Sequence, residues 1–221
     1  GALVQPQLAG LEPLACDVRR QRVPRPRVVT RLQPRAARRA LSVHVQVVHL
    51  LDHEPGGAEA LAAHCQRKPG RTRLLILNYP NNPSGHCYSE AELRAIAEVC
   101  RRHELLVLSD EIYSGVHFAG EHVSIARFYP EGTIVSNGLS KWSGAGGWRL
   151  GWFSFPEQLS ELHGAMESLI TETFTSVNSP AQYAAIAALQ ENADMESYLQ
   201  HSREILRELS GFCCEALRAS G

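Results

Sequence analysis

Lysine is scarce in this sequence. The 221 residues include only two lysines, Lys68 and Lys141, against twenty arginines. Long apolar runs are also lacking, since no stretch approaches the length of a membrane-spanning helix. The first residues lack the charged and then apolar pattern of a secretory leader. These absences predict a cytoplasmic protein with no membrane partner.

The cysteines follow no recognisable pattern. They show neither metal-ligand spacing nor a disulfide framework, and two adjacent ones fall within a helical pattern, where a bridge between them is disfavoured. We therefore predict reduced cysteines that mostly pack in the interior, as is typical of a cytoplasmic protein, and no metal site. The six are Cys16, Cys65, Cys87, Cys100, Cys213 and Cys214.

Positive charge is concentrated at one end of the chain. Residues 1–40 contain nine arginines and two acidic residues, a net charge of +7, whereas the whole chain has a net charge of −1. Such a segment could bind nucleic acid or an acidic surface. It has no interleaved aromatic residue and no known reader motif, so the composition favours a solvated, poorly ordered tail.

The composition divides the chain into three parts. Residues 1–57 are rich in arginine and proline and lack a sustained period, apart from 41–51, which alternate like a strand. Residues 58–190 carry regular strand and helix patterns, and residues 191–221 have the pattern of one long amphipathic helix. The abrupt change near Gly57 suggests a non-native or altered N-terminus, which comparison of all three reading frames of the encoding DNA would test.

Three apolar strands in succession each lead into polar residues. They are followed by NYPNNPSG, SDEIY and SNGLSK, ending at Gly85, Tyr113 and Lys141. Between the first two strands, Ser89 and Glu92 form a capping-box pattern at the start of a helix. A strand, a helix and a second strand predict a right-handed βαβ unit, whose carboxyl ends commonly bind ligands.

The rest of the chain is predicted more coarsely. We expect a loop over 116–129 with His117 and His122 exposed, a strand over 148–155, and helices over 156–170, 180–190 and 194–219. The three tryptophans are expected in the core or an interface. The last helix is expected to turn inward Leu199, Ile205, Leu206, Leu209, Phe212 and Leu217.

Lys141 lies where a lysine can become reactive. A lysine at the end of a buried strand loses hydration, which lowers its pKa and frees a neutral amine to attack a carbonyl. The alternative is an ordinary surface lysine in a loop. Position alone does not decide between them.

The three polar stretches together resemble a known family. NYPNNPSG at 78–85, SDEIY at 109–113 and GLSKWSGAGGWRLG at 138–151 are similar, in order and spacing, to motifs of the pyridoxal-phosphate-dependent aminotransferases of fold type I, class I/II, which are aspartate aminotransferase-like. The resemblance covers about residues 58–189. It implies an α/β three-layer sandwich with a mostly parallel sheet, the large domain of such enzymes, and a homodimer.

The resemblance also implies a role for each motif residue. Lys141 would form a Schiff base with pyridoxal 5'-phosphate and move the substrate's α-proton. Asp110 would pair with the cofactor's ring nitrogen, and Arg149 would hold its phosphate. Tyr113 and Asn82 would hydrogen-bond its phenolic oxygen. Taken singly, these residues are more often caps, turn residues, packing residues or surface charges.

The implied function is transamination between an amino acid and a 2-oxo acid. A lyase or decarboxylase of the same fold is the alternative within the family, because the same residues serve all three reactions. The family's upstream phosphate loop and stacking aromatic are not recognisable, and the sequence to residue 221 shows no counterpart of the family's C-terminal domain. A catalytically inactive, truncated fragment is therefore a second alternative, and a nucleic-acid-binding protein is a less favoured third.

Overall fold

A computed structural model describes residues 57–67, 69–190 and 192–220. The predicted strand over 41–51, the arginine-rich segment and Lys68 lie outside these residues. The described helices and strands are α1 (Gly57–Arg67), β1 (Leu74–Asn78), α2 (Glu90–Arg102), β2 (Leu106–Asp110), β3 (Thr133–Gly138), β4 (Gly151–Ser154), α3 (Ser160–Thr173), α4 (Ser179–Leu189) and α5 (Ala193–Ala219).

The described strands form one mostly parallel sheet. Its order is β1-β2-β3-β4, in which β1, β2 and β3 run parallel and β4 pairs antiparallel with β3. Asn78 lies opposite Asp110, and Asp110 lies opposite Ser136. The carboxyl ends of the three parallel strands therefore meet at one edge of the sheet.

The predicted βαβ unit is present as β1, α2 and β2. Ser89 and Glu92 cap α2 reciprocally, with the Ser89 N–H donating to Glu92 Oε2 over 2.7 Å. This capping box satisfies two N–H groups that the first helical turn leaves without partners. The predicted inner face of the helix is buried at Leu93, Ile96, Ala97 and Cys100.

The main core lies between this unit and α1. Leu61 of α1, Leu75 of β1 and Val107 of β2 are all completely buried in one cluster. A second, smaller cluster lies beyond β3, where Leu139 and Trp142 pack with Ala185 of α4. The main core secures the strands, and the second cluster supports the turn that follows β3.

The segment after β3 departs from the sequence prediction. The fourth strand covers only Gly151–Ser154 rather than 148–155, because Gly146–Trp148 form a 3-10 turn. Of the three tryptophans expected in the core or an interface, Trp142 is buried and Trp152 packs, partly buried, against the second cluster, whereas Trp148 is half-exposed. The following helix begins at Ser160 and continues to Thr173, beyond the predicted end at residue 170.

The long helix α5 forms as predicted, but its apolar face is not buried among the described residues. Leu199 packs partly against the second cluster. The prediction that the other apolar residues face inward was wrong, because no described element covers that face; they are Ile205, Leu206, Leu209, Phe212 and Leu217. No helix in the described ranges combines the length and apolar character needed to cross a membrane.

Candidate functional site

The candidate site lies where β1, β2 and β3 end. The chain leaves β1 through a turn in which Asn78 Oδ1 accepts hydrogen bonds from the Asn82 N–H over 3.1 Å and from Asn81 Nδ2 over 3.2 Å. The Asn81 N–H donates to the His86 carbonyl over 2.9 Å and closes the turn. Asparagine and proline favour such turns, so the local sequence favours the turn that contains Asn82.

Asp110 is held in place by the neighbouring strand. Asn78 Nδ2 donates to Asp110 Oδ2 over 3.2 Å, and the Ile112 N–H donates to Asp110 Oδ1 over 3.3 Å. The side chain is half-buried at the carboxyl end of β2. Sequence reasoning missed the role of Asn78, although a polar residue ending an apolar strand opposite Asp110 was a usable signal.

Asn82, Tyr113 and Lys141 lie together. Asn82 Nδ2 donates to the Tyr113 hydroxyl over 3.2 Å. Lys141 Nζ lies 5.3 Å from the centroid of the Tyr113 ring, within the range of a cation–π contact. Three residues from three different loops are thus neighbours, as the strand-end argument predicts.

Of the two alternatives for Lys141, the structure shows the surface lysine in a loop. Its side chain is exposed rather than buried. The physical reason is that β3 ends at Gly138, so Lys141 belongs to the following turn instead of the strand. Trp142, the next residue, is the one that packs into the second cluster.

Arg149 is close in the chain to this turn but has no described contact with the other four residues. Its backbone is in the left-handed region at φ 55°, and one guanidinium N–H donates to the Gly146 carbonyl over 2.8 Å. The adjacent Leu150 carbonyl accepts the Leu139 N–H over 3.1 Å. Arg149 is exposed, and its guanidinium retains donors for another ligand.

Gly138, the last residue of β3, pairs with Gly151 of β4 and has no room for a side chain. A Cβ at this position would be 2.8 Å from the Leu150 carbonyl oxygen and 3.0 Å from Gly151 Cα. Both neighbours are backbone atoms, which cannot move away as a flexible side chain can. Glycine therefore allows β4 to pack closely beside the end of β3.

We expect Gly138→Ala to lower the free energy of unfolding by about 1–3 kcal/mol, the usual cost of overpacking. Denaturant unfolding followed by circular dichroism measures it. Gly164→Ala is the matched control, because Gly164 is within α3 and a Cβ there would meet no atom within 4 Å apart from the backbone of its own helix. Alanine favours a helix, so the control should be as stable as the parent chain or more so. Equal stability of Gly138→Ala and Gly164→Ala would contradict the packing argument.

Comparison with known proteins identifies the family. Residues 39–221 match the model of aminotransferase class I and II. The chain belongs to this aminotransferase family. The match begins before and ends after the stretch 58–189 that the motifs cover.

Individual relatives agree with this family. The aminotransferase chain is 34% identical over 151 residues to the aspartate/prephenate aminotransferase of Thermus thermophilus, covering 68% of this chain and 38% of the relative. It is 38% identical over 156 residues to the aspartate aminotransferase of Geobacillus stearothermophilus, covering 65% and 39%. The matched part thus spans about two fifths of the length of these relatives.

Solved structures confirm the predicted fold class, an α/β sandwich with a mostly parallel sheet. A mutant of Thermus thermophilus aspartate aminotransferase superposes with a TM-score of 0.65 at 35% identity, over 68% of this chain and 41% of that one. Alanine aminotransferase from Pyrococcus furiosus gives 0.63 at 36% identity, over 72% and 40%.

The residues of this chain fit pyridoxal phosphate, the cofactor that members of the family use. The half-buried carboxylate of Asp110 suits a protonated ring nitrogen, and the paired donors of Asn82 and Tyr113 suit a phenolic oxygen. The amine of Lys141 suits an aldehyde, and the guanidinium of Arg149 suits a phosphate. The set therefore contains one matching group for each polar part of the cofactor.

Proposed function

We propose that this chain carries the cofactor site of an aminotransferase that moves an amino group from an amino acid to a 2-oxo acid. The contact that carries the proposal is the hydrogen bond between Asn82 and Tyr113 beside Lys141, at the edge of the sheet where Asp110 also lies. This arrangement places an amine, a carboxylate and two neutral donors on the ends of neighbouring strands.

Lys141 is proposed to hold the cofactor through its Nζ and then to act on the substrate. Its Nζ would take the proton from the substrate's α-carbon as a general base and would later return a proton as a general acid. Exposure of Lys141 gives Nζ access to an entering substrate. Bound pyridoxal phosphate supplies the electron sink that this proton transfer needs.

The other residues are proposed to orient the cofactor and to polarise its ring. Asp110, fixed by Asn78, holds a proton on the ring nitrogen through a charge-assisted hydrogen bond. Tyr113 and Asn82 donate to the phenolic oxygen and favour its anionic form. Arg149 is proposed to bind the phosphate. Its described hydrogen bond is to the neutral Gly146 carbonyl, so no acidic partner among the described residues neutralises its guanidinium.

We also propose a homodimer in the cytoplasm. Large apolar side chains are exposed on α3, just after it and on α4, including Leu169, Phe174 and Tyr183, and a partner subunit would remove them from water. Cys65, Cys87, Cys100, Cys213 and Cys214 are free thiols, which fits a reducing compartment.

The test of this function is the fate of the amino group. The chain is mixed with pyridoxal phosphate, ¹⁵N-labelled aspartate as donor and pyruvate as a simple 2-oxo acid, and the products are identified by mass spectrometry. The pyruvate carries a ¹³C label, so alanine that contains both ¹⁵N and ¹³C supports transamination. Labelled ammonia without this doubly labelled alanine would instead indicate a lyase. Alanine with ¹⁵N but no ¹³C, formed together with carbon dioxide, would indicate a decarboxylase.

A further inference from the structure

Glu111 is a buried carboxylate that the proposed reaction does not use. It lies between Asp110 and the loop of Tyr113, and only 5% of the residue is exposed. Its Oε1 accepts hydrogen bonds from Ser109 Oγ over 2.8 Å and Ser124 Oγ over 2.6 Å. Its Oε2 lies 2.8 Å from His122 Nε2. A buried charge is tolerated when its oxygens are satisfied in this way.

His122 completes the cluster, contrary to the prediction that it is exposed. Its side chain is only 16% exposed. That prediction was wrong because the ring folds back over the end of β1, with its centroid 5.1 Å from that of Tyr79. The Tyr79 hydroxyl accepts the Ile125 N–H over 2.6 Å. One polar cluster therefore ties together the end of β1, the end of β2 and the loop around 122–125.

The cluster lies directly behind the candidate site. Side chains alternate across a strand, so Glu111 points to the opposite face from its neighbour Asp110. The Glu111 N–H donates to the Ser136 carbonyl of β3 over 3.0 Å, and the Glu111 carbonyl accepts the Ser114 N–H over 2.9 Å. Glu111 thus anchors, through backbone and side chain, the short segment that presents Asp110 and Tyr113.

We propose that Glu111 and His122 are positioning residues that hold the segment from Asp110 to Tyr113 in its cofactor-binding geometry. Their effect depends on the hydrogen bond between the Glu111 carboxylate and the His122 imidazole. The part of the proposal that concerns the cofactor rests on the proposed function. The part that concerns the segment itself does not, because it can be measured on the chain without cofactor.

The charge state of the cluster supports this assignment. Burial acts to raise the pKa of Glu111, but the hydrogen bonds from His122, Ser124 and Ser109 outweigh it and hold that pKa below its ordinary value. A carboxylate accepts a hydrogen bond from either neutral or protonated histidine. The native pair therefore stays satisfied whether or not His122 carries the extra proton.

Glutamine at position 111 would keep the shape of the side chain but could not hydrogen-bond to His122 in both protonation states. Its carbonyl can still accept from Ser109 and Ser124, and its amide can donate to the neutral ring nitrogen of His122. When His122 is protonated, both ring nitrogens are donors, and the amide and the imidazolium face each other as two donors. Glu111→Gln should therefore loosen the segment specifically on acidification.

Other titratable groups near the histidine are shared by all variants. Tyr79 faces His122 from the end of β1, and Glu111 faces it from the end of β2. In the adjoining loop, burial and the nearby charges of His122 and of Arg203 in α5 hold the pKa of His117 below its ordinary value. The Nδ1 of His117 lies 3.4 Å from Cys87 Sγ. Because Tyr79, His117, Cys87 and Arg203 are the same in every variant, comparison between variants at equal pH isolates the Glu111–His122 pair.

The experiment measures amide hydrogen exchange of the peptide covering 110–116 and, separately, affinity for pyridoxal phosphate. Both are taken at about pH 5.5 and about pH 8, either side of the usual histidine range. The chains are the parent, Glu111→Gln, the double variant Glu111→Gln with His122→Gln, and Glu131→Gln. Glu131→Gln is the matched control, since it makes the same change to an exposed carboxylate 2.6 Å from Arg101.

We expect exchange of this peptide in Glu111→Gln to match the parent near pH 8 and to be roughly tenfold faster near pH 5.5, as the loss of one charge-assisted hydrogen bond implies. Cofactor affinity should fall by a similar factor. The double variant should lose the extra pH dependence, because neither of its partner side chains titrates, and Glu131→Gln should behave as the parent does.

Each contrary result has a distinct meaning. Exchange of 110–116 that is the same in the parent and Glu111→Gln at both pH values would overturn the positioning role. Faster exchange spread equally over α2 would show general unfolding and would overturn it too. If the parent does not bind pyridoxal phosphate, the proposed function fails, while the exchange data still decide the role of the pair. If the parent and Glu111→Gln bind it equally, the inference fails and the proposed function stands.

Discussion

Replacing Lys141 with arginine is expected to slow exchange of the substrate's α-proton by roughly 10²–10⁴-fold, the usual contribution of a positioned general base. Arginine keeps the positive charge and the length of the side chain but remains protonated, so it can neither attack an aldehyde nor accept a proton. The measurement is the wash-in of deuterium at the α-carbon of aspartate, followed by nuclear magnetic resonance in heavy water with pyridoxal phosphate present.

Lys68→Arg is the matched control, because Lys68 is the other lysine of the chain. We expect it to exchange the proton at the parent rate. Equal loss in both variants would point to a general effect of removing lysine, and retention of exchange in Lys141→Arg would rule out Lys141 as the base.

Asp110→Asn is expected to weaken pyridoxal phosphate binding by roughly 10- to 100-fold, since it removes the charge from one charge-assisted hydrogen bond. The substitution preserves the shape of a half-buried side chain that is bonded to Asn78. Folding should therefore be largely retained, and the loss should concentrate in binding. Titration of tryptophan fluorescence with the cofactor measures it.

The control for this prediction is Asp194→Asn, the same chemical change at an exposed position in the first turn of α5. A carboxylate there favours the helix only by a few tenths of a kcal/mol to about 1 kcal/mol. Cofactor affinity should be unchanged in Asp194→Asn. If Asp110→Asn binds as tightly as this control, Asp110 does not hold the ring nitrogen.

The sequence predicts the parts of the fold that depend on local patterns. β1 and α2 lie where apolar runs and the Ser89–Glu92 capping box place them, because strand alternation and helix capping are short-range effects. The juxtaposition of Asn82 with Tyr113 also follows, since parallel strands end at a common edge. The roles proposed for these residues come from the resemblance and stay predictions.

Other features depend on contacts that a linear pattern does not contain. The exposure of Lys141 follows from where β3 ends, and the burial of His122 follows from its return to Glu111 across a loop. A stricter use of alternation would have predicted the burial of Glu111, the partner of His122, because every second residue from Leu105 to Glu111 is buried. Helix α5 shows what periodicity does not predict. An amphipathic pattern indicates an apolar face but does not indicate which element covers it.

The most direct measurement is the site of covalent attachment of pyridoxal phosphate in this chain. The purified protein is mixed with the cofactor, its visible absorbance is recorded, and the complex is reduced with borohydride and mapped by peptide mass spectrometry. The account predicts a visible absorbance band that the free cofactor does not show. It also predicts a label on Lys141 but not on Lys68. No band, or a label divided between the two lysines, would contradict the claim that the strand ends form a cofactor site around Lys141.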